Sequence, residues 1–426
     1  MEKKKKIIVE ICRVVVGCLF VFSGFVKAVD PLGWTYKFND YLIAFGINWL
    51  DFISLPASFT LSAFEFTLGI CLLLGVLRKF TSMLTLLFMC FMTLLTLYLA
   101  IANPVTDCGC FGDAWIISNW ETFYKNVVLL IMSVILFIWC KKMTLFFSYK
   151  MNWLVILFTF IFSLLISFYC YQNLPILDFR PYKIGVNIPE GMLIPDDKPK
   201  DQNITTFIYE KDGVQEEFSL DDAPLNDSTW VFVDAKNQII KGYQPPIHDF
   251  AIMNSEGIDI TEDLLQETNY TFLLVSSKLE KAQESNVDRI NEIYDYTQLH
   301  GYKFHCVTAS APEAIAEWVG NTGADYPIST MDEITLKTIV RSNPGLLLLK
   351  EGTIYNKWHN NNIPENEILD TALNESTIGN IPSNNDAKEM IIVCILFFIP
   401  IILLYAADTK NREQKNAKNN EVSHIN

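Results

Sequence analysis

The sequence predicts a multi-span α-helical membrane protein carrying an α/β domain on the outer face of the membrane, and three observations lead there. Apolar stretches able to cross a bilayer, which takes roughly 20 residues of helix, fall at 7 to 28, 53 to 77, 80 to 102, 152 to 173 and 389 to 407. Cations collect at the ends of these stretches rather than on a folded surface. Between the last two stretches lies a separate acidic segment: residues 174 to 386 hold 15 Lys/Arg against 35 Asp/Glu, and the rest of the 426-residue chain holds 18 against 13. The formal net charge of −15 is therefore −20 in one segment and +5 elsewhere.

A sixth span is less uniform. From Trp115 to Cys140 the firmly apolar part is only Val127 to Cys140, so the span must borrow Phe123 and Tyr124 at the interface, with Lys125 snorkelling outward. Six spans put all four cation clusters on one side: Lys3 to Lys6, Arg78 with Lys79, Lys141 with Lys142 and Lys150, and Lys410 to Lys418. That excess places both termini in the cytoplasm and the acidic segment in the periplasm of a bacterial inner membrane. The first stretch, about 22 residues without a small-residue cleavage site, reads as a retained span. Nucleic acid is excluded as a partner, since no basic patch accompanies a folded surface.

The outer segment is long enough for a core of its own. Residues 178 to 240 show short alternating runs, Thr205 to Tyr209 and Trp230 to Val233, among Asp, Asn and Pro, which predicts a small β-rich module. From Pro245 the order becomes strand at Thr271 to Ser276, amphipathic helix at 279 to 300, strand at Lys303 to Thr308, and helices at 311 to 319 and 332 to 341. It closes with strands at Leu346 to Leu349 and Ile354 to Trp358 about a turn at Glu351-Gly352, then a helix from Pro364. Alternating strands and helices ending in a hairpin predict an α/β layer structure. The expected boundaries are a four-helix membrane domain at 1–145, a fifth span and linker at 146–177, the β-rich module at 178–240, the α/β domain at 241–386, a sixth span at 387–408 and a cytoplasmic polar tail at 409–426.

Two resemblances follow. Ser342-Asn343-Pro344-Gly345 before an apolar strand and a Gly-centred hairpin resembles the thioredoxin fold and its proline loop, which singles out Pro344. Asp249-Phe250-Ala251-Ile252 followed by Gly257 and Leu264 resembles the entry to peroxiredoxin-type and periplasmic thioredoxin-like domains. Those families place a cysteine or Cys-x-x-C after the first of these strands. This chain has Ser276-Ser277-Lys278 there, so the resemblance, over about 130 residues, implies a docking scaffold without the fold's thiol chemistry. In the membrane half, Arg13, Gly17, Phe20, Ser23-Gly24, Lys27 and Asp30-Pro31 resemble the first span of the DoxX family. With Asp107-Cys108-Gly109-Cys110-Phe111-Gly112 they resemble the related MauE proteins, implying a four-helix unit at about 7 to 140 and an association with maturation of disulfide-containing periplasmic proteins. Four-helix redox proteins of the vitamin K epoxide reductase and DsbB type are a distant analogy. The chain lacks their Cys-x-x-C, so no cofactor is identified and a quinone has no motif to hold it.

Of ten cysteines, seven lie in or beside apolar runs and Cys306 in a buried alternating strand, where packing explains them. Cys108 and Cys110 are the closely spaced pair in a polar loop. Two cysteines one residue apart close a strained ring, and strain suits a disulfide to being given up. Three readings stay open: a redox pair, a structural disulfide or turn that pins the loop, and a metal ligand pair, though two sulfurs do not complete a zinc site. Asp107 and Asp113, if close in space, would raise the thiol pKa values. Glu65 sits mid-span, where an ionisable group is a functional candidate, with Arg13 and Lys27 as rival partners. The outer histidines, His300, His305 and His359 among them, show no ligand spacing.

The function expected is a membrane component of extracytoplasmic thiol-disulfide maturation or electron transfer. Cys108 and Cys110 exchange electrons, and the outer domain docks a periplasmic or envelope partner, a basic one given the acidic surface. The rivals are a non-enzymatic envelope scaffold and a small-molecule or lipid transporter using Glu65.

Overall fold

The computed structural model describes residues 2–105, 107–199, 202–211, 213–219, 222–224, 227, 229–240, 242–365, 371–382 and 386–425, with backbone alone at 202–204, 238–240 and 416–425. Among the described residues, six helical segments are long and apolar enough to cross a membrane. They are built on α1 (Glu2–Val29), α3 (Ser54–Leu74), α4 (Arg78–Ala102), α5 (Asn119–Ile138), α6 (Asn152–Gln172) and α12 (Asp386–Ile425). The protein is thus multi-pass. α12 continues as helix where a separate polar tail was expected from residue 409.

α1 packs chiefly on α3, and glycines set how closely. A Cβ on Gly24 would lie 2.4 Å from the Phe66 backbone nitrogen, and one on Gly69 would lie 2.8 Å from the Gly17 carbonyl oxygen. Small residues let two backbones approach where lipid offers no hydrophobic drive between helices. The start of α5 follows from local chemistry. Ser118 and Glu121 form a capping box, so the helix begins at Asn119 and its first turns supply the length that the apolar run lacks.

The loop expected at residues 29 to 52 contains a further helix, α2 (Pro31–Ala44). Asp30 caps it by accepting from the Gly33 N–H at 3.0 Å, with Pro31 in the first turn, the standard chemistry of a helix start. Too short and too polar to span, α2 lays Trp34 and Tyr41 against Cys108, Cys110 and Leu99.

The outer domain has a five-stranded sheet formed by β4 (Tyr270–Ser276), β5 (Lys303–Thr308), β6 (Ile328–Thr330), β7 (Gly345–Lys350) and β8 (Thr353–His359), in the order β6-β5-β4-β7-β8. β4, β5 and β6 run parallel, and β7 and β8 are antiparallel additions. Central β4 is buried along its whole length, as a strand covered on both faces must be. One face packs Phe272, Leu274 and Cys306 under α9 (Val287–His300) and α10 (Pro312–Thr322). The other packs Leu273, Val275 and Leu347 against α11 (Glu333–Ile339) and the short α8 (Thr261–Leu265). The Asn343–Pro344 peptide is cis and sits directly before β7.

Three expectations are corrected. The helix foreseen over 279 to 300 is interrupted. Leu279–Lys281 forms one 3-10 turn, whose Leu279 N–H donates to Ser310 Oγ at 2.7 Å, while the Gln283 N–H donates to the Asn343 carbonyl, so tertiary acceptors replace helical ones. β6, of three residues, carried no sequence signal. The β-rich module is also smaller than 178–240. Its three-stranded sheet is β1 (Gln202–Lys211), β2 (Val214–Phe218) and β3 (Val231–Ile240), in the order β2-β1-β3. Residues 178 to 199, with α7 (Ile188–Met192), belong instead to the larger domain. The Ile188 N–H donates to the Gly352 carbonyl and the Ile354 N–H to the Val186 carbonyl, and Tyr182 and Ile188 join the Leu349 and Ile354 core. The helix expected from Pro364 falls largely on 366–370, outside the described residues.

Candidate functional site around Cys108 and Cys110

The loop between α4 and α5 folds inward against α1, α2 and α3. Gly109 adopts φ +63, a left-handed conformation that glycine tolerates best, and the turn brings Cys108 Sγ to 2.9 Å from Cys110 Sγ. Both thiols are buried, at 2% and 8% exposure, and both residues are free cysteines. Three contacts fix the loop. The Tyr41 hydroxyl donates to the Cys108 carbonyl at 2.5 Å, the Gly109 N–H donates to Asp107 Oδ1 at 2.8 Å, and Lys37 holds Asp107 Oδ2 at 2.6 Å.

Beneath the loop lies a buried ion pair. Lys27 Nζ is 2.7 Å from both Glu65 carboxylate oxygens, and the two side chains are 1% and 3% exposed. Of the two rival partners, Lys27 is the one that meets Glu65. Arg13 lies toward the opposite end of α1, where it pairs with Glu10 at 2.7 Å and donates to the Thr144 carbonyl, so it takes no part in the site. Ser23, one helical turn before Lys27, places its Oγ 2.8 Å from both Glu65 Oε2 and the Cys110 carbonyl oxygen. A narrow cavity of about 40 Å³ runs below Cys110 between Phe20, Ser23, Phe88, Met92 and Asn126. Lys125, expected to snorkel outward, lies over the Phe111 ring at 4.1 Å and lines this cavity.

The two thiols are unequal. Cys110 is held well below the usual thiol range, first by the hydrogen bond from Cys108 and then by Lys125 and Lys27, which together outweigh burial and Glu65. Cys108 is pushed up, because it donates that hydrogen bond and is itself buried. Asp107 and Asp113, expected to raise the thiols, are not among the largest causes of either shift. Lys37 engages Asp107, and Arg341 engages Asp113 at 3.0 Å.

Arg341 belongs to the outer domain and binds this end of the membrane unit. Its guanidinium contacts Asp30 at 2.8 Å and Asp113 at 3.0 Å, and with Lys337 it lies over the Tyr36 ring. A cavity of about 290 Å³ separates α11 from α2 and reaches Gly109. Pro344, three residues beyond Arg341, lies not at the thiols but at the end of β4. There Ser276 Oγ donates to Asn343 Oδ1 at 2.7 Å, and Asn343 Nδ2 donates to the Lys278 carbonyl at 2.8 Å. Sequence reasoning missed Ser23, Tyr41, Lys125 and Arg341 as members of the site. Ser23 and Asp30 stood in the motif of the first span, but without a role.

Fold and site together define a multi-span α-helical membrane protein with a separate α/β domain and a buried cysteine pair at the junction of the two. Residues 5–139 match the family model described as "Methylamine utilisation protein MauE", so the membrane half is MauE-like. Residues 204–242 match a domain of unknown function, DUF8463. No curated protein matches the chain. A solution structure named "putative protein disulfide isomerase from Bacteroides thetaiotaomicron" is similar over 28% of this chain and 79% of that one, at 17% identity and a TM-score of 0.23.

Proposed function

We propose that the chain is a membrane component of extracytoplasmic thiol-disulfide maturation, in which Cys108 and Cys110 exchange electrons with a client protein and the outer domain positions that client. The observation that carries this reading is the asymmetric pair itself: two buried sulfurs 2.9 Å apart, one favoured as thiolate and the other as thiol. A low-pKa sulfur is the better leaving group, and stabilising the reduced pair makes its disulfide the more oxidising. In the forward direction a client thiolate attacks Cys108 of the oxidised pair. The Cys108–Cys110 bond breaks, Cys110 leaves as thiolate, and a mixed disulfide forms on Cys108. A second client thiolate then displaces Cys108, so the client is oxidised by two electrons and the pair is left reduced.

The outer domain reads as thioredoxin-like because β5, β4, β7 and β8 are neighbours in that order, with β4 parallel to β5, β7 antiparallel to β4 and β8 antiparallel to β7. Lacking a thiol at the end of β4, it serves as a dock, and its acidic surface suits a basic client. The cation distribution supports an inner-membrane location with cytoplasmic termini and a periplasmic outer domain. Differential alkylation in intact cells, combined with single Cys→Ser variants, tests the proposal. Cys110→Ser, which cannot form the internal disulfide, is expected to trap a client by the reverse step: Cys108 attacks a client disulfide, one client sulfur leaves as thiolate, and no Cys110 remains to release the mixed disulfide. A pair permanently oxidised or permanently reduced, with no trapped client in either variant, leaves the non-enzymatic scaffold as the better account.

A further inference from the structure

A buried ion pair directly under a thiol loop calls for a reason beyond helix packing. Taking two charges out of water costs several kcal/mol per ion, and an apolar pair would serve cohesion at least as well. The glycines of α1 and α3 already bring these helices into backbone contact. The pair is instead wired to one cysteine, since Ser23 Oγ touches both Glu65 Oε2 and the Cys110 carbonyl oxygen, at 2.8 Å each. Lys27, Glu65 and Cys110 line the same narrow cavity.

We propose that Lys27 and Glu65 are positioning residues that set the charge state of Cys110. Lys27 supplies the positive charge that holds the thiolate, Glu65 limits that charge, and Ser23 fixes the cysteine's place over the pair. The other groups facing the site from each packed element are Lys125 on α5, Tyr41 on α2 through the Cys108 carbonyl, and Cys108 itself in the loop. Asp107 is held by Lys37. Lys27 and Lys125 both favour the thiolate and Glu65 opposes it. Opposite signs on two members of one pair give the proposal its test, because a purely structural role has no sign.

The inference uses the exchange reading for its biological purpose but is measured without it. The full chain is reduced in membranes and treated with iodoacetamide over a range of pH, and alkylation of Cys110 is read by site-resolved mass spectrometry. Accessibility scales the plateau of the rate-pH profile, whereas ionisation sets its midpoint. Lys27→Met is expected to move the midpoint up and slow alkylation roughly tenfold at neutral pH. Glu65→Gln, which leaves Lys27 unopposed, moves it down. Should Lys27→Met fail to fold, Glu65→Gln and the double variant Lys27→Met/Glu65→Gln carry the test, the double variant lying above Glu65→Gln. Midpoints that move in the same direction in both single variants, or that do not move in Glu65→Gln, overturn the proposal. Shifts of the expected sign without any trapped client would leave it standing while the exchange reading falls.

Discussion

At the end of β4 the outer domain holds Ser276, Ser277 and Lys278, whereas the loop between α4 and α5 in the membrane half holds Cys108, Gly109 and Cys110. Both places follow the end of a regular element, β4 in one and α4 in the other, yet their polar atoms are used differently. Ser276 spends its hydroxyl on Asn343, and Asn343 in turn caps the Lys278 carbonyl, so the strand end is closed by its own hydrogen bonds. The cysteine sulfurs meet each other, with the cations Lys27 and Lys125 acting on Cys110. Serine stays neutral at any physiological pH and serves as a fixed connector. A thiol beside a thiol and cations can ionise, and in such a place it is a reactive group. On the proposed reading, the chemistry falls to the membrane half and the docking surface to the outer domain.

Four changes would break or sharpen that division. The largest effect is expected from Cys108→Ser with Cys110→Ser, which should reduce client trapping to background while the outer domain, with its own core on both sheet faces, keeps its hydrogen-exchange protection. If trapping persists, the chemistry lies elsewhere. Next comes Lys27→Met, which strands a buried carboxylate. A loss of about 3–5 kcal/mol of stability is expected, measured by thermal unfolding in detergent, with the Glu65→Gln double variant recovering most of it.

Arg341→Ala should loosen the outer domain from the membrane unit by about 2–4 kcal/mol, since it leaves Asp30 and Asp113 without their guanidinium. Faster proteolysis of the linker between the end of α6 and residue 178 would report it. The same contact predicts acid release. Burial pushes the Asp30 carboxyl up, but Arg341 and then Arg180 outweigh it and hold it below the ordinary range. A carboxyl lowered in the docked state contributes stability above its ordinary value and loses it as pH falls through the lowered one. Asp113, which burial raises despite Arg341, binds its proton more tightly in the docked state and so does not drive this release. Linker cleavage should therefore rise only as pH falls through the lowered Asp30 value, and Arg341→Ala should flatten that profile. The smallest effect belongs to Gly109→Ala. A Cβ at φ +63 would meet Lys37 Cγ at 3.2 Å, and about 1–2 kcal/mol of strain should appear as a small drop in melting temperature with the thiols still reactive.

Much of this protein is determined by its sequence alone, for reasons local to the chain. A bilayer demands runs of apolar residues near 20 long, so all six spans are visible, even the fourth, whose cap at Ser118 explains how it starts early enough. Strands buried on both faces read as apolar runs, which is why β4 and β7 stand out, while the three residues of β6 are too few to carry a pattern. The Cys-Gly-Cys spacing is likewise a local signal. What only the tertiary structure decided are pairings between distant positions. Lys27 rather than Arg13 meets Glu65 because close contact of α1 and α3 puts Ser23, Lys27 and Glu65 on one face. Lys125 turns inward because the folded loop offers it the Phe111 ring. Residues 178 to 199 join the larger domain because its hairpin edge offers them backbone partners. Charge partners depend on distance in space, to which sequence separation gives no guide, so the thiols were legible in the chain while the charges gathered around them were not.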